Sequence, residues 1–257
     1  MTTLLRAEGL TRHYPLPRTR LFGARPRLTA IANASFTLDP GRTLGVVGES
    51  GSGKSTLARL VMAFEKPDAG TISFAGKDLH GLSRPDLRAL RPEFQMIFQD
   101  PYGSLDPRRK VGWSLGEPLR AMGTDEGARI AASLEQVGLH AADAQKYPHE
   151  FSGGQRQRIA IARAIITRPQ LLVADEAVSA LDVSVRAQIL NLLMDLQEDL
   201  GLAMLFISHD MAVVAALCDT LMVLRRGQVV EQGAAADLMD HPQHAYTQSL
   251  LEAAGDF

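Results

Sequence analysis

Four short stretches of the chain carry apolar residues on both parities: TLGVVG (43–48), FQMIFQ (94–99), LLVAD (171–175) and AMLFIS (203–208). A strand with one wet face would alternate, so these predict strands buried on both faces, as in a parallel sheet. Helical spacing follows several of them, over 54–64, 183–200 and 211–217. Alternation of strand and helix predicts a doubly wound α/β core.

The stretch from about residue 85 to 158 breaks this rhythm. Short helical patterns (DLRAL, GWSLGEPLRAM, EGARIAASLEQVGL) are interrupted there by Pro and Gly, which predicts a mostly helical insertion within the core. A chain of 257 residues can bury one large α/β core with such a subdomain attached. There is no internal repeat and no low-complexity segment. Near the N-terminus, PLPRTRLFGARPRLT (15–29) holds four arginines and three prolines without an acid. A solvated loop is the reading for that run, with contact to an anionic surface as its alternative.

Composition narrows the function classes. A net charge of −2 gives no global reason to expect a nucleic-acid partner. One cysteine, Cys218, excludes an internal disulfide and a cluster held by four thiolates of this chain. No apolar run reaches the ~18–20 residues that span a bilayer. The opening MTTLLRAEGLTRHYPLP has no signal-peptide core, so any membrane role is expected to be peripheral.

GESGSGKST (48–56) fits G-x-x-x-x-G-K-[ST] directly after an apolar strand and before a helix. Gly48, Gly51 and Gly53 let the backbone curl so that its N–H groups, with Glu49, Ser50 and Ser52 between them, converge on phosphate oxygens. Lys54 adds a cation at the β- and γ-phosphates, Ser55 a hydroxyl for Mg²⁺, and Thr56 lies in the first helical turn. A glycine-rich helix cap would not need the Lys-Ser pair, so a nucleotide site is expected.

Three strand ends carry further candidates. LLVADE brings Asp175 and Glu176 to the C-terminal edge of a parallel strand, where ligands of such sheets bind. Asp175 is placed to hold Mg²⁺ through water; Glu176 can orient or deprotonate an attacking water, or can be a helix-start acid that favours the dipole. FISHD ends another apolar strand with His209, either a γ-phosphate contact or a satisfied surface histidine. FQMIFQDP places Gln99 where an amide can reach Mg²⁺ or the water, or serve as an ordinary turn residue. A second glycine loop, EFSGGQRQRIAIARA (150–164), enters a helix without any lysine.

FSGGQ before a helix, LLVADE, SALD, FISHD and a Gln between the two glycine loops resemble the ATP-binding cassette (ABC) ATPases, in that family's order and over nearly the whole chain. The resemblance implies a P-loop NTPase (RecA-like) α/β core, about 1–85 and 159–240. It further implies a mostly helical subdomain at about 86–158, a small antiparallel β region near the N-terminus, and a short helical tail at about 241–257. Two such domains face head to tail in the family. Ser152, Gly153, Gly154 and Gln155 would then contact the γ-phosphate held at the partner's P-loop, a helix N-terminus needing no lysine. Tyr14 matches the aromatic that stacks on adenine, with a strand-edge aromatic as its competitor. Asp182 is the acidic member of the loop Ser179–Asp182 that crosses to the opposite site. Glu176 becomes the expected general base and His209 the switch histidine. ATP and Mg²⁺ are the implied cofactors, with Ser55, Gln99 and Asp175 around the metal.

FQDPYGSLDPR, YPHEFSGGQRQR, DEAVSALDVSVRAQIL and HPQHAYTQSLL look like the ATPase subunits of bacterial peptide/nickel-type importers. VSALDVSVRAQ and the arginine-rich run after Tyr14 are most similar to the second of their two paralogous ATPases. This implies a sister ATPase (or a second copy of this chain), two permeases and an extracytoplasmic solute-binding protein, at the cytoplasmic face of a bacterial inner membrane. The segment 101–109 would lie by the permeases, and no nucleic acid is expected. Nickel or another small solute is the alternative cargo; a non-transport ABC ATPase is a further alternative, though neither a coiled-coil insertion nor a second cassette is present. The sequence departs from the family at Ala177, often proline, and at His244-Ala245-Tyr246, commonly His-Pro-Tyr. It stops at Phe257 without the cysteines of longer members, so no iron–sulfur cluster is expected.

Overall fold

The computed structural model describes residues 3–18, 25–100, 103, 105–179 and 181–254. Part of the arginine-rich run (19–24), part of the expected permease-facing segment (101, 102, 104) and Ala180 of the SALD loop lie outside the described residues. The elements begin with strands β1 (Leu5–Pro15), β2 (Arg27–Leu38) and β3 (Thr43–Val47), then helix α1 (Lys54–Val61). Strands β4 (Ala69–Phe74) and β5 (Lys77–Asp78), helix α2 (Arg84–Leu90) and strand β6 (Phe94–Ile97) follow. Helices α3 (Val111–Met122), α4 (Gly127–Gln136) and α5 (Gly153–Ile165) lead to β7 (Leu171–Asp175) and α6 (Val183–Leu200). The last elements are β8 (Ala203–Ser208), α7 (Met211–Leu217), β9 (Thr220–Arg225), β10 (Gln228–Ala234), α8 (Ala235–Asp240) and α9 (Ala245–Ala254).

These elements form two compact units. One takes in the described residues up to Leu87 and from Leu205 onward, the other Arg88–Met204. In the first unit an antiparallel sheet has the order β2-β1-β4-β5. Beside it in the same unit, β10-β9-β3-β8 are neighbours in that order, with β3 parallel to β9 and β9 antiparallel to β10. All of β3 and β8 is buried, as their unbroken apolar runs predict. Cys218 is buried here, and burial with the charge of Asp219 pushes its thiol up, away from the thiolate that metal binding or nucleophilic chemistry requires.

In the second unit β6 and β7 pair in parallel, with Phe94 opposite Leu171 and Ile97 opposite Ala174. Its helical part buries Leu115 and Leu119 of α3, Leu134 of α4 and Ile159, Ile161 and Ile165 of α5. Helix α3 runs unbroken through Gly116 and Pro118, where the sequence pattern reads as interrupted. Arg120 reaches back across this stretch to donate to the Trp113 carbonyl (2.7 Å) and pairs with Glu126 (2.7 Å), bracing a turn that lacks the proline N–H.

The predicted core strands and helices occur within a few residues of their expected limits. Strand β3 stops at Val47 because Gly48 already turns, with φ +153°. Helix α1 stops at Val61, ahead of Ala63 in the left-handed region (φ +49°). No helix among the described residues is long and apolar enough to cross a membrane.

Candidate nucleotide site

The loop from Gly48 to Gly53 joins β3 to α1. A side chain at Gly48 would strike the Leu224 carbonyl of β9, and one at Gly53 the Ala30 carbonyl of β2, so neighbouring backbone enforces glycine at both positions. The Gly227 N–H holds the loop from beneath through the Ser52 carbonyl (2.8 Å). Glu49, Ser50, Gly51 and Ser55 are exposed, Gly53 and Thr56 half-buried, and Lys54 only 4% exposed. The Lys54 ammonium donates to the carbonyls of Gly48 (2.6 Å) and Glu49 (3.0 Å), folded onto its own loop. Helix α1 has no acid in its first turn, so nothing there offsets the positive end of its dipole.

Tyr14 lies near the end of β1, opposite Leu28 of β2, and is half-buried. Its hydroxyl donates to Glu65 Oε2 (2.7 Å), and the Arg12 guanidinium sits 5.0 Å from its ring centroid. Arg12 binds the same Glu65 oxygen through Nε (3.2 Å) and Nη2 (3.0 Å) and donates to the Lys66 carbonyl (3.1 Å). The ring is thus fixed at its tip, with a cation over its face. Sequence reasoning missed Arg12 and Glu65, and no motif marks them, because their roles arise from pairing across 53 positions.

His209 is exposed between β8 and α7, in the same unit as the loop. Asp210 beside it caps α7 by accepting from the Val213 N–H (3.3 Å).

In the second unit Gln99 and Glu176 meet directly. Gln99 Nε2 donates to Glu176 Oε2 (3.1 Å) and approaches Ser179 Oγ (3.5 Å). Glu176 has φ +49°, an uncommon conformation for a side-chain-bearing residue, costing on the order of 1–3 kcal/mol unless its surroundings impose it. Ser179 imposes it: its N–H (3.1 Å) and Oγ (3.0 Å) both donate to the Glu176 carbonyl. Helix α6 does not begin until Val183, so Glu176 does not open a helix. Asp182 is exposed at the N-cap of α6.

Ser152 caps α5. Its Oγ accepts from the Gln155 N–H (3.3 Å), while Gln155 Oε1 accepts from the Ser152 N–H (3.0 Å), a reciprocal capping box. Both side chains are exposed and Gly153 and Gly154 are half-buried, leaving the helix N-terminus open. The sequence therefore builds two glycine-flanked helix N-termini, α1 with a lysine and α5 without.

The donors suit a magnesium ion. In the second unit Gln99 and Asp175 stand just past and at the end of paired parallel strands and offer amide and carboxylate oxygens; in the first unit Ser55 offers an exposed hydroxyl in the first turn of α1. No cluster of three or more His, Cys, Asp or Glu residues able to hold a metal occurs among the described residues. One carboxylate with neutral oxygens is what a cation arriving with phosphates takes, in place of an all-protein cage.

A family model described as ABC transporter matches residues 31–179. The glutathione import ATP-binding protein GsiA of Salmonella typhimurium (strain LT2) is 51% identical over 255 residues, covering 97% of this chain and 41% of that protein. The GsiA protein of Escherichia coli (strain K12) is 51% identical over 254 residues with the same coverage. The chain thus spans about two-fifths of the length of these relatives. Among solved structures, cbiO1 from Clostridium perfringens, part of the ABC transporter complex cbiONQ, is 27% identical with a TM-score of 0.80, covering 93% of this chain and 91% of that one. A dimeric post-hydrolysis state of the ATP-binding cassette MJ0796, bound to ADP and Pi, is 25% identical with a TM-score of 0.78, covering 90% and 99%.

Proposed function

The chain belongs to the ABC transporter family, and on that premise we propose that it is the ATP-hydrolysing subunit of a multisubunit importer of peptides or similar small solutes. The observation that carries this is the pair of open helix N-termini in one chain, only one of which has a lysine. The Gly48–Thr56 loop binds the phosphates of one ATP, and Ser152–Gln155 close over the γ-phosphate bound to a partner ATPase. A phosphate held between a lysine-bearing loop and a lysine-free helix cap explains why the second loop needs no cation of its own.

In this reading Tyr14 stacks on adenine, and Lys54 leaves the Gly48 and Glu49 carbonyls for the β- and γ-phosphates. Ser55, Gln99 and Asp175 would hold Mg²⁺, which when bound neutralises phosphate charge. Glu176 accepts a proton from the attacking water as its oxygen bonds the γ-phosphorus and the β–γ bridging bond breaks, releasing ADP and phosphate. Positioned proton transfer of this kind contributes ~10²–10⁴ in rate. Gln99, hydrogen-bonded to Glu176, holds that carboxylate until water and metal arrive. His209 contacts the γ-phosphate, and Asp182 reaches toward the opposite site.

Two permeases, a sister ATPase or second copy, and an extracytoplasmic binding protein complete the proposed complex at the cytoplasmic face of the membrane. The relatives are named for import of glutathione, itself a tripeptide, which favours a peptide-type cargo. The test is to delete the gene, restore the chain as wild type or Lys54→Ala, and follow uptake of labelled glutathione and dipeptides. Uptake restored by wild type alone supports the proposal; uptake unaffected by deletion overturns the importer role, and a purified chain unable to bind ATP overturns the whole reading.

A further inference from the structure

The C-terminal helix holds the phosphate loop. Tyr246 of α9 is 4% exposed, and its hydroxyl accepts from the Glu49 N–H (3.1 Å), within the unit that contains both. The same residue 49 offers its carbonyl to Lys54 (3.0 Å), so tail and lysine grip opposite sides of one loop residue. The phenol ring is itself fixed, with the Arg225 guanidinium of β9 4.7 Å from its centroid.

The start of α9 is anchored in turn. Glu231 of β10 accepts from the N–H groups of Gln243 (2.8 Å) and His244 (3.2 Å), and His244 Nδ1 accepts from the Tyr246 N–H (3.0 Å). Thus a chain of bonds runs from β10 through the HPQHAY segment to the second residue of the phosphate loop.

We infer that Tyr246 is a positioning residue for nucleotide binding: its hydroxyl holds the Glu49 peptide in place when Lys54 leaves the loop carbonyls for a phosphate. Lys54 alone cannot do this, because the two bonds it makes to the loop are the ones it must give up. Glu49 keeps a partner on its N–H side throughout, so the loop stays open around the phosphates without closing on itself. The inference rests on the reading of Gly48–Thr56 as an ATP site.

The test compares wild type, Tyr246→Phe and Glu231→Gln as full chains, measuring ATP binding by titration and ATPase kinetics in the assembled complex. Phenylalanine keeps the ring against Arg225 and removes only the hydroxyl, leaving the Glu49 N–H without its acceptor. The expected result is an ATP Kd raised about 3–10-fold in Tyr246→Phe, with the kinetic loss falling more on KM than on kcat. Glu231→Gln, one bond further away, shifts Kd in the same direction by a smaller factor. A purely structural tail would lower the melting temperature without separating KM from kcat. Wild type that binds ATP, with Tyr246→Phe binding equally tightly, overturns the inference alone; wild type that does not bind ATP overturns the site reading as well. Should Tyr246→Phe fail to fold, Glu231→Gln decides, and an unchanged Kd there refutes the inference.

Discussion

Replacing either glycine of the lysine-free loop separates two reasons for having glycine. A methyl built at Gly153 meets no heavy atom within 4 Å, whereas one at Gly154 comes within 2.6 Å of Val185 Cγ1 on α6. Within this chain Gly153→Ala therefore costs no packing, and alanine in the first turn of α5 favours the helix by up to ~1 kcal/mol. For a protein of this size the melting temperature should rise by at most about 2–4 °C. Gly154→Ala instead forces a β-branched side chain off a stiff rotamer, costing about 1–3 kcal/mol and lowering the melting temperature. If the N–H groups at the start of α5 close on a γ-phosphate in the partner's site, the added methyl at position 153 keeps the phosphate off them. Loss of one such donor costs ~10²–10³ in rate. Gly153→Ala should thus be at least as stable as wild type, bind ATP normally, and lose roughly 10²-fold in ATPase. Calorimetry, nucleotide titration and phosphate release from the assembled complex measure the three quantities. A Gly153→Ala complex hydrolysing ATP within twofold of wild type would refute the composite-site reasoning, since no internal clash is available to confuse the result.

Other perturbations reach the rest of the site. Glu176→Gln keeps a side chain able to bond Gln99 but cannot take a proton, so turnover should fall by ~10²–10⁴ while ATP binding persists; wild-type ATPase in this variant removes Glu176 as base. Tyr14→Ala should raise the ATP KM by the ~1–3 kcal/mol that a stacked base contributes, and Tyr14→Phe, which keeps the ring but loses the Glu65 bond, should raise it less. Equal KM values for all three forms would remove the stacking role. For Glu231, burial alone would raise the carboxyl, but the Thr247 hydroxyl, then the N–H donors of Gln243 and His244 and the charge of His244, hold it below its ordinary value of 4.5. A depressed carboxylate stabilises the fold above its unfolded pKa and loses that contribution as pH falls through the folded one. Hydrogen exchange in α9 should therefore accelerate as pH drops below about 4.5 after correction for intrinsic rates. Superimposable wild-type and Glu231→Gln profiles would count against the anchor.

The parts of the fold legible in the sequence are those where one residue's environment is set by its immediate neighbours in the chain. Strands β3, β7 and β8 are buried on both faces over nearly their whole length, so composition alone marks them. The Gly48–Thr56 loop is legible for a similar reason, because its glycines, lysine and serine fall within nine consecutive residues. Strands β1 and β2 were not legible individually: their pairing shifts register between Ala7 and Leu10, between Leu10 and Arg12, and between Arg12 and His13, which scrambles the alternation that a two-period pattern relies on. The β9–β10 hairpin carried a readable signal, Arg226-Gly227, whose positive φ values of +50° and +81° form the tight turn that joins such strands.

The site divides along the same line. Lys54, Glu176 and Ser152 announce themselves by residue type and motif, but the groups that fix them do not. Glu65 beneath Tyr14, Ser179 behind Glu176 and Tyr246 against Glu49 are ordinary residues in sequence, and each acts by one or two hydrogen bonds to a candidate residue. The Tyr246 bond spans 197 positions, and its donor is a backbone N–H whose sequence context says nothing about an acceptor. Motifs name the groups that touch a ligand, since ligand chemistry restricts residue type. The supporting groups need only present one oxygen at one place, a requirement that many residues satisfy and that only the folded backbone specifies.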